Sequence, residues 1–207
     1  NYDYLPDAFV VEGPKAGGHL GFKAHTLQDI GNSLENLVAE VVAVARDMKE
    51  RYNKTIPVIA AGGIHSGSDI YNIMKKGAAG VQLGTRFVAT KECDASDRFK
   101  NAFVDARDED VQIIKSPVGM PGRSIFNRFL NEANQGKRRP RACKNNCIRS
   151  CDPKTTSYCI SEALFQAYKG NLDDGFVFTG ANAGRIDKIS SVGEIFEELL
   201  AEYRQVS

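Results

Sequence analysis

Glycine turns that follow apolar runs are places where backbone N–H groups can come close to a phosphate. This chain has two of them, one strand-and-helix unit apart. Ala61-Gly62-Gly63-Ile64 closes the run Pro57 to Ala61, and Gly84-Thr85 closes the run Gly80 to Leu83. One such turn alone is best read as a tight turn. The pair, with Gln82 and Thr85 beside the second, is better read as a phosphate site. A third loop, Glu12-Gly13-Pro14-Lys15-Ala16-Gly17-Gly18-His19-Leu20-Gly21, sets a histidine among glycines at the end of another apolar run. A lone histidine is more often structural. One on the same edge as two phosphate turns is placed to exchange a proton with a substrate near neutral pH.

Sulfur chemistry is the other candidate. Four of the five cysteines follow the pattern Cys143-x3-Cys147-x3-Cys151-x7-Cys159, and Cys93 stands apart. If the segment is helical, the first three thiols share one face, and four thiolates could hold zinc or an iron–sulfur cluster. The spacing is neither a standard zinc nor a standard ferredoxin one. Reduced structural or redox-active cysteines are therefore the favoured reading, with a metal centre at Cys143, Cys147, Cys151 and Cys159 as the alternative. Lys137, Arg138, Arg139 and Arg141 form a basic run. It reads as a solvated loop, or as a contact for an acidic carrier protein or a nicotinamide cofactor's phosphate. His25 and His65 have no supporting constellation, and Asn182 and Arg185 receive no role.

The elements that position these groups are legible as alternating strands and helices. Ala8 to Val11, Pro57 to Ala61 and Gly80 to Leu83 are short apolar runs ending in glycine, as buried parallel strands do. Between the first two, Leu34, Leu37, Val38, Val41, Val42, Ala45 and Met48 form an apolar stripe at helical spacing, with Ser33 as N-cap. Between the second and third, a helix capped by Ser66 or Ser68 runs through Lys76 and is closed by Gly77. Strand, loop, helix, strand, loop, helix, strand predicts parallel β/α architecture. Beyond Asp94 the pattern changes: a helix over Ser96 to Ala106, a strand over Val111 to Ile114, and a Pro/Gly loop over Ser116 to Gly122. Helices are then predicted over Ile125 to Asn134, Tyr158 to Tyr168 and Val192 to Tyr203. Gly136 to Arg141 is a basic linker, and Gly170 to Gly184 is rich in loops.

The bulk numbers fit an ordinary globule. The chain has 207 residues, 42% of them hydrophobic and 26% charged, with Lys+Arg 27 against Asp+Glu 26. That balance leaves no net field to draw in nucleic acid or an acidic membrane. No apolar run approaches the roughly 18 residues of a membrane helix, and no signal segment opens the chain. A cytoplasmic location with reduced thiols is expected.

Taken together, Ala-Gly-Gly-His at 16–19, Ala-Ala-Gly-Gly-Ile at 60–64 and Gly-Val-Gln-Leu-Gly-Thr-Arg-Phe at 80–87 resemble the nitronate monooxygenase family, formerly 2-nitropropane dioxygenases. The flavin-dependent enoyl-acyl carrier protein reductases belong to the same superfamily. The likeness is specific over Val10 to Phe87. It continues more loosely through Ser116-Pro117-Val118-Gly119-Met120-Pro121-Gly122-Arg123 and the Cys segment.

The resemblance implies strands six to eight of an FMN-binding (β/α)8 barrel at residues 1–115, followed by a mainly helical, Cys-rich extension at 116–207. It implies that Gly17 and Gly18 pass close to the flavin and that Gly62 and Gly63 take its phosphate. Gln82, Leu83, Gly84 and Thr85 complete the cradle, and His19 is the catalytic histidine. Glu12, beside the cofactor, stands where Gln is frequent, and Lys15 where Glu is frequent. FMN rather than FAD is expected, since two short loops suit one terminal phosphate and no G-x-G-x-x-G motif opens a helix. A three-stranded arc cannot close, so the expected partners are a missing N-terminal barrel segment and a small-molecule substrate, with a homodimer as a candidate assembly. The expected activity is nitronate oxidation by oxygen. The alternatives are NAD(P)H-dependent enoyl reduction and, from another class, an inactive barrel remnant acting as a metal-binding interaction module.

Overall fold

The computed structural model describes residues 4–140, 143, 147 and 151–207. Three parallel strands, β1 (Phe9–Glu12), β3 (Val58–Ala61) and β4 (Gly80–Gln82), pair in the order β1-β3-β4. Their register sets Glu12 opposite Ala61 and Ala61 opposite Gln82, so all three strands end along one edge. That shared edge brings the three glycine-bearing loops together.

The connecting helices form where the stripe and caps predict. α1 (Leu34–Tyr52) starts at Ser33, whose side chain accepts from Asn36 N–H. α2 (Gly67–Lys75) starts at Ser66 in a reciprocal capping box with Asp69, an arrangement that satisfies two otherwise orphaned donors. Gly77 follows at φ +103°, a conformation cheap only for glycine. One face of the sheet packs against both helices through Val11, Val38, Ala45, Val58, Ala60 and Ile73. The other face is less covered, and Val10 is 58% exposed. The expectation of strands buried on both faces is therefore met on one face only.

Each helix expected beyond Asp94 forms within a few residues of its expected bounds, and further strands join them. After the single turn α3 (Thr85–Val88) and α4 (Asp97–Val104), β5 (Val111–Lys115) pairs antiparallel with β6 (Pro121–Ile125). β6 also pairs with β7 (Val177–Phe178) and with β2 (Gly18–His19). A second, antiparallel sheet thus joins the histidine loop to the C-terminal residues, and its β5–β6 hairpin spans the expected boundary at 115/116. α5 (Arg128–Asn134), α6 (Ile160–Tyr168) and α7 (Val192–Val206) complete the chain. Phe129, Leu130, Tyr158 and Phe176 pack a second core behind β5, and α7 packs on α2. No helix among the described residues is long and apolar enough to cross a membrane.

Candidate active site

A cavity of about 320 Å3 lies where the three parallel strands end. Glu12, Gly17 and Gly18 from the first loop line it, with Gly62 and Gly63 from the second and Gln82, Leu83, Gly84 and Thr85 from the third. Every residue expected to bind a cofactor therefore meets in one place. Phe178 to Asn182, for which no local motif speaks, close the cavity from the C-terminal side.

The two glycine turns differ in construction. Gly62 and Gly63 have φ of +89° and +86°, and a Cβ on Gly63 would lie 2.7 Å from Lys15 Cβ. Here glycine is demanded by both the backbone and the neighbouring loop. Gly84 is at φ −115°, and an added Cβ would meet nothing within 4 Å. Its small size leaves open space facing the cavity rather than relieving strain.

The start of α2 is already committed to the protein's own carboxylates. Asp69 Oδ2 accepts from the N–H groups of His65 and Ser66 at 3.0 and 2.9 Å, and Glu202 Oε2 accepts from Gly67 N–H at 2.6 Å. An anion in the cavity would therefore meet the loop earlier, at Gly62 to Ile64.

His19 follows Gly18 in β2 and is not itself among the residues that line the cavity. Its Nε2 lies 2.7 Å from Ser116 Oγ, and its ring meets the edge of Phe178 with centroids 4.9 Å apart. Ser116 is buried, and its Oγ also accepts from Val118 N–H at 3.4 Å. Partial burial pushes the imidazole below its usual 6.5, and it likewise raises the Glu12 carboxyl above the ordinary carboxylate range. The neutral imidazole is the form that accepts a proton. Arg123, also buried, donates to Ala16 O and so anchors the loop from beneath.

His65, which the sequence left without partners, has several. Arg86 Nη1 donates to His65 Nε2 at 2.7 Å, and Arg86 Nη2 pairs with Glu198 on α7. Burial, then the nearby Arg185 and Arg86, press His65 down to about 4. The ring is a neutral acceptor that ties the second loop to the last helix. These partners come from distant elements, so no local signal could have found them.

The cysteine segment behaves differently. Cys143, Cys147, Cys151 and Cys159 line a separate cavity of about 240 Å3 with Pro117, Val118 and Pro153. The four-thiolate metal centre is a correction: among the described residues no group of three or more His, Cys, Asp or Glu could hold a metal ion. The spacing puts thiols on one face only of a helix, and the chain is not helical at 143, 147 or 151. Burial and the other three cysteines push the Cys151 thiol up. In the basic run, Arg138 bonds Glu132 and Asp174, each at 2.7 Å, and its guanidinium lies over the Phe129 ring. It is a packing residue; Arg141 lies outside the described residues.

Residues 3–202 match the family model described as nitronate monooxygenase. The chain belongs to the nitronate monooxygenase family. A probable nitronate monooxygenase of Staphylococcus aureus (strain Newman) is 36% identical over 132 residues, which is 62% of this chain and 34% of that protein. The chain thus spans about a third of the length of the curated relatives it matches. Among solved structures, FabK from Thermotoga maritima has a TM-score of 0.70 at 29% identity, covering 96% of this chain and 55% of that one. Nitroalkane oxidase from Streptomyces ansochromogenes has a TM-score of 0.67 at 28% identity, covering 96% and 52%. The α/β fold is shared with both.

Proposed function

We propose that this chain forms the phosphate-binding and proton-handling part of an FMN-dependent oxidoreductase that oxidises alkyl nitronates with oxygen. In this reading β1, β3 and β4 are an arc of a β/α barrel. The observation that carries it is the convergence of three glycine-bearing loops on one cavity at the shared edge of the parallel sheet. The fit to FMN rests on the cradle: the positive-φ glycines and the open space at Gly84 let backbone approach a phosphate, and a side chain would fill that space.

Gly62, Gly63, Gly84 and Thr85 would hold the phosphate, with Gly17, Gly18, Glu12, Gln82 and Leu83 along the rest of the cofactor. When bound, FMN would supply the electron transfer, and the protein supplies position and proton handling. Where the substrate arrives as the neutral nitroalkane, His19 accepts the proton next to the nitro group and leaves the nitronate. Desolvation keeps the imidazole neutral, and the Ser116 hydroxyl fixes the ring's direction through Nε2. Phe178 packs against that ring and lines the cavity on the C-terminal side.

The likeness to FabK supports a second reading, enoyl-thioester reduction with NAD(P)H as co-substrate. One assay separates the two. Full-length protein is given a nitronate with oxygen, and in parallel an enoyl thioester with NADPH. Oxygen consumption with nitronate alone supports the first reading, and NADPH consumption with the thioester alone moves the protein to the second. Activity with neither, in protein that holds FMN, overturns both.

A further inference from the structure

Thr179 to Asn182 lie far along the chain from the three β/α loops and bond to all of them. Gly180 N–H donates to Thr85 Oγ1 at 2.9 Å, Ala181 N–H to Lys15 O at 3.0 Å, and Asn182 Nδ2 to Gly63 O at 2.7 Å. The approach is close: a Cβ on Gly17 would lie 2.7 Å from Gly180 N. All four residues line the cavity.

Only the Asn182 bond is donated by a side chain, so it alone among the three donors depends on the residue type at 182. It acts on a peptide that follows a glycine. Gly63, at φ +86°, has no side chain to limit its rotation. Its carbonyl and the Ile64 N–H belong to one planar unit and point in opposite directions. Fixing Gly63 O therefore fixes the direction of the Ile64 N–H. That group lies in the stretch an anion would meet, because the following three N–H groups are taken by Asp69 and Glu202.

We propose that Asn182 is a positioning residue for the phosphate of the cofactor: it holds the Gly63–Ile64 peptide so that its N–H is presented to that phosphate. This rests on reading the cavity as a flavin cradle. Asn182 does not act on the reacting ring, and its effect is confined to ligands that carry the phosphate.

The test uses full-length protein stripped of flavin and titrated with FMN and with riboflavin, following quenching of flavin fluorescence. Asn182→Ala is expected to weaken FMN about tenfold, equivalent to about 1.4 kcal/mol, and riboflavin by less than about twofold. Asn182→Asp, which cannot donate and adds a negative charge, should weaken FMN more than the alanine does. Unchanged FMN affinity in both variants overturns the proposal, as does an equal loss for FMN and riboflavin, which would mark a general packing role. A wild-type protein that binds neither flavin overturns the cradle reading itself.

Discussion

Gly62–Gly63 and Gly84–Thr85 are a whole strand-and-helix unit apart, yet they line one cavity. Cys143, Cys147, Cys151 and Cys159 are close neighbours in the chain and also line one cavity, yet they form no ligand group among the described residues. The difference is the scaffold. Parallel pairing fixes where β1, β3 and β4 end, so whatever follows them must meet. Cys143, Cys147 and Cys151 lie in no helix or strand, and Cys159 caps α6. Groups that share a cavity acquire a common geometry where regular structure aims them.

The largest effect that sharpens this comparison is expected at Gly84. Gly84→Leu should weaken FMN by at least about 100-fold, some 2.7 kcal/mol, while the melting temperature barely moves, because the site is open. Gly63→Ala should instead lower the melting temperature itself, since both its φ and the Lys15 side chain oppose a Cβ. Titration and thermal melts on the same samples check both. Equal behaviour of the two variants would break the distinction between a space-leaving glycine and a strained one.

Next comes His19→Asn. Turnover of a neutral nitroalkane should fall roughly 10²–10⁴-fold, a preformed nitronate should suffer far less, and FMN should stay bound. Steady-state rates on the two substrates decide it, and equal losses would mean positioning rather than proton transfer. The acid limb of nitroalkane turnover should also lie below 6.5, because His19 is lowered and a base acts only above its pKa.

A smaller effect is expected from His65, whose folded value of about 4 lies below the ordinary 6.5. A depressed value means that the unfolded chain binds the proton first. The His65 contribution is thus intact above pH 6.5 and is lost as pH falls toward 4, by on the order of 3 kcal/mol. Denaturant melts across that range should show His65→Gln less acid-sensitive than wild type. A parallel slope would mean that His65 does not titrate with unfolding. The smallest change is expected in the other region: Cys147→Ser should leave FMN affinity within about twofold, and a larger loss would tie the cysteine segment to the cradle.

What was legible in the sequence follows the same division. β1, β3, β4, α1 and α2 were readable because short apolar runs, glycine stops, Ser33, Ser66 and Gly77 are local signals. The start of β6 falls in the expected Pro/Gly loop because Pro121 and Gly122 are residues that strands disfavour. It becomes a strand through its partners β2, β5 and β7. β2 and β7 are two residues each, too short for any periodicity. The cavity's floor was therefore legible and its C-terminal wall was not. Ser116 lay within a recognised stretch, but its bond to His19 comes from folding.

The most direct measurement is a crystal structure of the full-length protein with FMN. The phosphate should lie within hydrogen-bond distance of backbone N–H groups in Gly62 to Ile64 and at Gly84–Thr85. A phosphate seated elsewhere, for instance against Arg138 and Arg139 in the cavity of about 560 Å3 beside the cysteine segment, would contradict this reading.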